Sequence, residues 1–148
     1  QEVTLAAFKA AKARGCITIL NPAPYQDLSA ELLDLCDWII PNETEFRELH
    51  GEQPSGDAIL KSFRPGKSSI VTLGSQGAVY ISADGGIHHA AAPLVTAVDT
   101  TGAGDAFLSA LLHYLVINKT IDAKAMALAA RWSALTVSAE GSIPPRFA

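Results

Sequence analysis

Short apolar runs that alternate with helical patterns constrain the fold of this chain more than any other feature. The apolar runs end at turn-forming Gly, Asn or Pro residues and predict buried strands at residues 16–20, 37–40 and 69–73. The helical patterns predict helices at residues 29–35, 44–50 and 58–63. Strands separated by helices are typical of a parallel sheet with crossover helices. The sequence therefore predicts an α/β fold.

The remaining patterns extend this arrangement. Helices are predicted at residues 1–14, 104–117 and 121–138. Strands at residues 78–82 and 87–92 flank the turn-forming sequence Asp-Gly-Gly and predict an antiparallel hairpin. No internal repeat or linker interrupts the 148 residues, and this length is typical of one domain.

Composition argues against several classes of protein. Hydrophobic residues make up 49% of the chain and charged residues 18%, which argues against intrinsic disorder. The net charge of −4, without a basic run, argues against binding to nucleic acid. No apolar stretch is long enough for a membrane span, and no signal sequence opens the chain. We expect a cytoplasmic protein in which Cys16 and Cys36 are buried small hydrophobic residues in a reducing compartment.

The sequence Asp-Thr-Thr-Gly-Ala-Gly-Asp at residues 99–105 carries the clearest chemical signal. Its small residues allow a tight turn and a close approach of a ligand to the backbone, and an apolar helix follows. The free amides and the dipole at the start of such a helix form an anion site suited to phosphate oxygens. Asp105 is placed there to accept a proton from an attacking hydroxyl. Simple capping of the helix by Asp105 is the alternative.

Two other glycine motifs do not fit the sequence. The dinucleotide-binding fingerprint requires a third glycine where this chain has Phe107, which argues against an oxidoreductase. Gly-Lys-Ser at residues 66–68 is similar to the end of a P-loop, but that motif requires a glycine where this chain has Lys61.

Residues 99–105 resemble the C-terminal signature of the ribokinase-like sugar kinases, the PfkB family of carbohydrate kinases. Four further segments agree with the family's motifs in order and spacing, and together they cover almost the whole chain. These segments are Asn-Pro-Ala-Pro at 21–24, Pro-Asn-Glu-Thr-Glu at 41–45, Thr-Leu-Gly-Ser-Gln-Gly at 72–77 and Gly-Ser-Ile-Pro at 141–144.

The resemblance implies a three-layer α/β/α fold with a mostly parallel sheet and an antiparallel hairpin. Members of the family usually have roughly twice this length, as larger α/β chains do. The resemblance thus implies that residues 1–148 are the C-terminal nucleotide-binding and catalytic part of a ribokinase-like domain. The N-terminal half, with the lid and most sugar-binding residues, would be missing. We expect the isolated chain to be inactive and to aggregate or dimerise through uncovered surfaces.

The activity that the resemblance implies is ATP-dependent phosphorylation of a sugar hydroxyl. Asp105 would contact the sugar as the catalytic base. The amides of Gly102, Ala103 and Gly104 would stabilise charge on the transferring phosphoryl group. A ribokinase-like preference is favoured over a fructokinase or 2-keto-3-deoxygluconate kinase, and a non-catalytic nucleotide-binding fragment is the alternative from another class.

The resemblance also implies positions for ATP and Mg²⁺. Asn42 would contribute to the nucleotide and Mg²⁺ element, and Glu45 would act on the metal through water. Their alternative role is a simple strand-to-helix junction. Ala130 would offer adenine an apolar contact. The predicted nucleotide loop, with a plain turn between strands as its alternative, consists of Thr72, Leu73, Gly74, Ser75, Gln76 and Gly77.

A site for a monovalent cation such as K⁺ is implied near the C-terminus. Its ligands would be Asp99 and Thr101 together with the backbone carbonyls of Thr136, Ala139 and Gly141. The sequence departs from the family pattern at Pro145, where ribokinases commonly have a hydroxyl. The family further implies a homodimer of the full-length protein, with a small sugar and ATP as its partners. We expect a structural role for Trp38, Trp132, His50, His88, His89 and His113.

Overall fold

The computed structural model describes residues 1–142 and contains six α-helices within that range. The helices are α1 (Glu2–Ala13), α2 (Ala30–Leu35), α3 (Glu43–His50), α4 (Gly56–Lys61), α5 (Ala103–Asn118) and α6 (Ala123–Val137). The strands are β1 (Ile19–Leu20), β2 (Trp38–Ile39), β3 (Ser68–Thr72), β4 (Ala78–Ile81) and β5 (Ile87–Ala90). A 3₁₀ turn at Gly74–Gln76 separates β3 from β4. None of the helices in this range is long and apolar enough to cross a membrane.

The five strands form one sheet in the order β1-β2-β3-β4-β5. The pairs β1–β2 and β2–β3 are parallel, in the register Leu20 to Ile39 and Trp38 to Ser68. β4 and β5 are neighbours joined by a short turn, where the Ser82 N–H donates to the Gly86 carbonyl at 2.9 Å. So short a connection permits only antiparallel strands. The predicted α/β fold with a parallel sheet and an antiparallel hairpin is confirmed.

The chain divides into two compact units. The first unit contains residues 1–72 and 79–87. Its core consists of apolar side chains with at most 1% of their surface exposed, from α2, α3, β3 and β4: Leu32, Phe46, Ile70, Val71 and Ile81. Ile70 and Val71 are successive residues of β3, so their side chains are buried on opposite faces of the sheet.

The second unit contains residues 73–78 and the chain from residue 88 onward. Its largest contact joins α5 and α6. Leu111 of α5 and Ala125, Met126 and Ala129 of α6 are all buried. The alanines of α6 allow the helices to approach closely, because methyl side chains add little to the distance between two helix axes.

Serine and aspartate side chains set where α2, α4 and α6 begin. Ser29 accepts a hydrogen bond from the Leu32 amide, as the sequence predicts for the start of α2. Ser55 caps α4 in the same way, so this helix begins at Gly56 rather than at residue 58. Asp122 accepts from the Lys124 and Ala125 amides, and α6 therefore begins after it rather than at residue 121. Each cap satisfies amides that have no acceptor within their helix.

The two cysteines differ in environment. Cys36 is 4% exposed and donates its thiol to the Leu32 carbonyl at 3.1 Å. Burial raises the pKa of the Cys36 thiol to about 11, so this residue is an unreactive part of the core. Cys16 is exposed, so the prediction that it is buried is wrong. It lies in the connection between α1 and β1. Its main-chain amide donates a hydrogen bond to the Ala11 carbonyl.

Asp37 joins α1, β1 and β2 at the start of the sheet. Its Oδ1 accepts from Lys12 Nζ at 2.6 Å, and its Oδ2 accepts from the Thr18 amide at 2.9 Å and the Thr18 hydroxyl at 3.0 Å. Burial acts to raise the pKa of Asp37, but the bonds from Lys12 and Thr18 outweigh it and the pKa is lowered. The folded state therefore favours the ionised carboxylate.

This pKa shift predicts how Asp37 contributes to stability. The contribution is present above the pKa of the unfolded carboxyl group, about 3.9, and is lost as the pH falls through the lower folded-state pKa. We expect Asp37→Asn to cost about 1–2 kcal/mol at pH 7, since it weakens charge-assisted hydrogen bonds. Denaturant unfolding between pH 7 and pH 3 should show a shallower loss of stability in the variant.

Asp34→Asn is the matched control, because the Asp34 side chain is 77% exposed and lies 3.7 Å from Arg64. An exposed pair of this kind contributes little. Equal losses in the two variants at pH 7 would contradict the role assigned to Asp37.

Candidate functional site

The first unit carries a predicted nucleotide and metal element at the start of α3. Asn42 caps this helix: its Oδ1 accepts from the Glu45 amide at 2.9 Å. The Glu45 carboxylate returns to Asn42, accepting from the main-chain N–H at 2.9 Å and from Nδ2 at 3.0 Å. The two residues thus form a reciprocal capping box.

The capping box places Glu45 in an apolar environment. Glu45 is 5% exposed and is followed by the fully buried Phe46. Burial raises the pKa of the Glu45 carboxyl group, and the bond from the Asn42 amide only partly offsets this. Both carboxylate oxygens already accept a hydrogen bond. This geometry is that of a simple strand-to-helix junction, the alternative role of Asn42 and Glu45. The Mg²⁺ role of Glu45 stays a prediction.

Thr72 lies beside this element. It ends β3 and forms an isolated parallel bridge with Asn42, and its amide donates to the Pro41 carbonyl at 3.0 Å. The structure therefore brings together Asn42, Glu45 and Thr72, three of the predicted site residues, at the carboxyl ends of β2 and β3. Ligands of open α/β sheets bind at this end of the strands.

The rest of the predicted nucleotide loop belongs to the second unit and is a compact turn. The Leu73 amide donates to the Gly77 carbonyl at 2.7 Å, and the amides of Gln76 and Gly77 donate to Leu73 and Gly74. Gly77 has a φ of +94°, and a Cβ atom there would lie 1.9 Å from the Ala90 carbonyl oxygen. Only glycine fits this position. Gly74, Ser75 and Gln76 are exposed at the tip of the turn.

A close approach between two main-chain segments also occurs at the start of α5, as it does at Gly77. Gly102 is the N-cap of the helix, with a φ of +77°, and no side chain caps α5. A Cβ atom at Gly102 would lie 2.7 Å from the Ser142 carbonyl oxygen. The turn that begins α5 therefore packs directly against the main chain near residue 142.

Asp105 lies in the first turn of α5 and is exposed. Because Gly102 is the N-cap, the alternative in which Asp105 caps the helix does not hold. The helix provides no acceptor for the amides of Gly104 and Asp105. The Ala103 amide is partly engaged, since it donates to the Thr100 carbonyl at 3.3 Å.

The five predicted ligands of a monovalent cation lie in two adjoining segments. Asp99 Oδ1 accepts from the Thr101 amide at 2.9 Å, and Oδ2 accepts from the Gly141 amide at 3.0 Å. The Val98 amide donates to Val137 at 2.7 Å. Hydrogen bonds from Thr101 and Gly141 lower the pKa of Asp99. The segments joined in this way contain Asp99, Thr101, Thr136, Ala139 and Gly141; Pro145 lies outside the described residues.

A groove of about 450 Å³ opens between α5 and α6 beside Asp105. Asp105, Ser109 and His113 lie one turn apart on α5 and line the groove together with Leu128 and Trp132 of α6. We expected structural roles for His113 and Trp132, but both are on the wall of this groove. The i, i+4, i+8 spacing from Asp105 is the sequence signal that could have indicated Ser109 and His113.

Three other residues considered in the sequence lie elsewhere: Ala130 on α6, Trp38 on β2 and His50 at the end of α3. Ala130 is 7% exposed on α6, and its neighbours Leu128 and Trp132 line the groove instead. Trp38 stacks on Tyr80 at 5.4 Å, and His50 packs on Phe46 at 4.4 Å. The described residues include no cluster of three or more His, Cys, Asp or Glu side chains able to hold a metal ion.

A comparison with protein families identifies the relationship of the chain. The model of the pfkB family carbohydrate kinases matches residues 1–146. The chain belongs to the pfkB family. The resemblance based on five sequence segments is thereby confirmed, and it extends over nearly the whole chain.

Ribokinases are among the similar members of the pfkB family. The chain is 42% identical to a bifunctional ribokinase/ribose-5-phosphate isomerase A of Fructilactobacillus sanfranciscensis, with 96% of this chain and 28% of that protein covered. It is 40% identical to the ribokinase of Staphylococcus aureus, with 95% and 49% covered. The chain is 28% identical to the solved structure of Arabidopsis thaliana ribokinase complexed with ribose and ATP, with a TM-score of 0.84. The match covers 96% of this chain and 49% of that structure's chain.

The coverage shows that the chain is similar to part of a ribokinase-like fold. It spans about half the length of the Staphylococcus and Arabidopsis relatives and less of the bifunctional one. The expected partial α/β domain is thus confirmed.

The close approach at Gly102 predicts a marked difference between two glycines of α5. Gly102→Ala adds a strained φ and a Cβ atom 2.7 Å from the Ser142 main chain, and it should cost about 1–3 kcal/mol of stability. Gly104→Ala is the control, because nothing lies within 4 Å of its Cβ position. This second change should be neutral or stabilise the helix by up to about 1 kcal/mol. Denaturant unfolding of both variants measures the difference, and equal losses would be inconsistent with it.

Proposed function

We propose that the protein is an ATP-dependent sugar kinase in which Asp105 is the general base and residues 102–104 form the anion hole. The observation that carries this proposal is the start of α5. Within residues 1–142 no side chain caps this helix, so amides are available for phosphate oxygens, and Asp105 is exposed in the first turn beside a groove. In this proposal residues 1–148 are the C-terminal nucleotide-binding and catalytic part of the kinase.

The proposed reaction is transfer of the γ-phosphoryl group. The sugar hydroxyl loses its proton to the Asp105 carboxylate while its oxygen forms a bond to the γ-phosphorus. The bond from the γ-phosphorus to the bridging oxygen breaks, and ADP leaves with that electron pair. Charge on the transferring group is stabilised by the amides of Gly102, Ala103 and Gly104, although the Ala103 amide is shared with Thr100.

The turn at residues 72–77 is proposed to bind ATP. Asn42 is proposed to contribute to nucleotide binding in the first unit, and Ala130 to offer adenine an apolar contact in the second. The compact hydrogen bonding of this turn supports the role, since a preorganised turn loses little conformational entropy when a ligand binds. Exposure of Gly74, Ser75 and Gln76 places the tip of the turn at the surface. Asn42 and Thr72 adjoin through the bridge between them.

Mg²⁺ fits the capping box only through water. Because both Glu45 oxygens accept bonds from Asn42, a metal ion would keep its own water shell and meet Glu45 at its remaining lone pairs. When bound with ATP, Mg²⁺ neutralises charge on the β- and γ-phosphates. The bonds from Asn42 orient the Glu45 carboxyl group for this role.

A cation such as K⁺ fits the segments joined by Asp99. Carboxylate and carbonyl oxygens suit hard cations, and Asp99 retains lone pairs besides those used by Thr101 and Gly141. Thr101 and the carbonyls of Thr136, Ala139 and Gly141 complete the proposed set. The cation would stabilise the turn at residues 99–102 from which α5 begins.

The proposed acceptor is ribose or a closely related sugar, and the full-length protein is proposed to be a cytoplasmic homodimer. The 40% identity to a ribokinase supports ribose over fructose or 2-keto-3-deoxygluconate. This chain by itself is proposed to lack activity, because it spans only half of such relatives.

Replacement of the proposed base tests the mechanism in the full-length kinase. Asp105→Asn removes the proton acceptor but keeps the shape of the side chain, so turnover should fall about 100- to 10,000-fold while ATP affinity changes little. Steady-state kinetics with ribose and Mg-ATP, combined with calorimetric titration of ATP, measures both quantities.

Asp57→Asn is the matched control, since Asp57 is also an exposed Asp in the first turn of a helix, α4. It should leave turnover unchanged. An Asp105→Asn enzyme with the turnover of the wild type would rule out the general-base role.

Titration of the chain with ATP tests the proposed ion sites. We expect saturable binding of Mg-ATP that is tighter in K⁺ than in Na⁺ buffer, because the cation would order the turn that binds phosphate. Glu45→Gln should raise the Mg²⁺ concentration needed for half-maximal ATP binding several-fold, since it removes the carboxylate charge. Glu48→Gln, one turn away on the exposed side of α3, should not do so. An unchanged Mg²⁺ requirement in Glu45→Gln would contradict the metal role.

A further inference from the structure

Ser142 meets the start of α5 at Gly102. The Ser142 carbonyl oxygen lies 2.7 Å, and its Cβ atom 2.8 Å, from the position that a Cβ atom of Gly102 would occupy. Because Gly102 has no side chain, none of its own atoms separates the Ser142 side chain from the first turn of the helix. Ser142 and Asp105 also line the same groove. The serine therefore lies beside the helix start that carries the proposed anion hole.

Asp105 occupies a position from which a side chain can turn back to the start of its helix. Residues three apart on a helix are neighbours on its surface, with Cβ atoms about 5–6 Å apart. In a capping box, the acidic side chain at this third position reaches back to the N-cap residue. Asp105 has this spacing from the N-cap Gly102. The Asp105 carboxylate and the Ser142 hydroxyl can therefore meet over Gly102.

The two side chains are both available for such a contact. Asp105 and Ser142 are exposed, and within residues 1–142 neither side chain is engaged in a hydrogen bond or an ion pair. A hydroxyl donates one hydrogen, whereas a carboxylate accepts at two oxygens. A bond from Ser142 to one oxygen leaves the other free to receive a proton. Hydrogen bonds of this kind often tighten only when substrate is bound.

We propose that Ser142 is a positioning residue for the base of the phosphotransfer reaction. Its hydroxyl donates a hydrogen bond to one carboxylate oxygen of Asp105. The other oxygen is thereby directed towards the acceptor hydroxyl and receives its proton. Without this bond, the exposed carboxylate would exchange between rotamers, of which only some face the substrate. Ser142 has this role only if Asp105 is the general base, so the assignment rests on the proposed function.

Ser142→Ala in the full-length kinase removes the hydroxyl and keeps the Cβ atom that packs on Gly102. We expect kcat for ribose to fall about 10- to 100-fold, because the carboxylate is no longer held in its reactive orientation. The KM values for ribose and Mg-ATP should change less than about twofold, since the lost contact acts in the transition state. Steady-state kinetics measures both, and the midpoint of denaturant unfolding should be unchanged.

The pH profile of kcat/KM separates positioning of the base from simple packing. A hydrogen bond donated to a carboxylate favours its ionised form and lowers its pKa. The acid limb of the profile reports the base of the free enzyme, and it should move to higher pH in Ser142→Ala. His113 is the other titratable residue of the groove lining and lies two turns further along α5. His113→Gln should leave the acid limb in place.

Ser138→Ala is the matched control, because Ser138 is also an exposed serine just after α6. Its hydroxyl donates to the Leu135 carbonyl at 2.8 Å and is therefore engaged elsewhere. This variant should keep the kcat and the pH profile of the wild type. Equal losses of kcat in Ser138→Ala and Ser142→Ala would overturn the proposal.

Two results for Ser142→Ala itself would also overturn it. The first is a variant with the kcat and the acid limb of the wild type. The second is a loss of kcat with a lower unfolding midpoint and an unmoved acid limb, since Ser142 would then act through packing alone. Asp105→Asn separates these results from a failure of the proposed function. If Asp105→Asn keeps full turnover, both assignments fall, whereas a slow Asp105→Asn enzyme beside a normal Ser142→Ala enzyme contradicts the role of Ser142 only.

Discussion

The carboxylate of Asp99 holds together two segments of the second unit, the turn that leads into α5 and the chain near Gly141. One oxygen fixes Thr101 and the other fixes Gly141. With these bonds in place, Gly102 packs against Ser142 so closely that a side chain would not fit. The position of the first amides of α5, and therefore of Asp105, follows from this packing. An anion site made of main-chain amides is only as precise as the backbone that supports it, and Asp99 supplies that support.

The Asn42–Glu45 pair and Asp105 differ in whether the side chain caps its own helix. Asn42 and Glu45 satisfy each other, so this pair is stable without a ligand and its oxygens have few free lone pairs. Asp105 is exposed and does not cap its helix. A carboxylate that orients water or a metal shell benefits from being fixed, whereas a proton acceptor has to reach a substrate atom. This difference is consistent with the separate roles proposed for Glu45 and Asp105.

Local patterns predicted most of the fold but few of its boundaries. The apolar runs and helical spacing predicted β1 to β5 and α1 to α6 because burial determines those patterns. α4 and α6 begin at other residues than predicted, because Ser55 and Asp122 cap them. Whether such a side chain caps a helix depends on the backbone geometry. Exposure of Cys16 and the groove beside Trp132 could not be predicted, since both depend on which elements pack against each other. The site motifs were recognisable because some of their positions, such as Gly77 and Gly102, have no room for a Cβ atom and therefore require glycine.

The Asn-Pro-Ala-Pro segment is positioned through its first residue. Asn21 follows β1, and its side-chain amide donates to the Ile40 carbonyl at 2.7 Å. Because β1 pairs with β2 in parallel, the segments that follow these two strands are joined at the carboxyl ends of the strands, where ligands of open α/β sheets bind. The precision of a ligand-binding loop in a parallel sheet depends on how firmly its strand is held, and the bond from Asn21 to Ile40 adds to the pairing of β1 with β2.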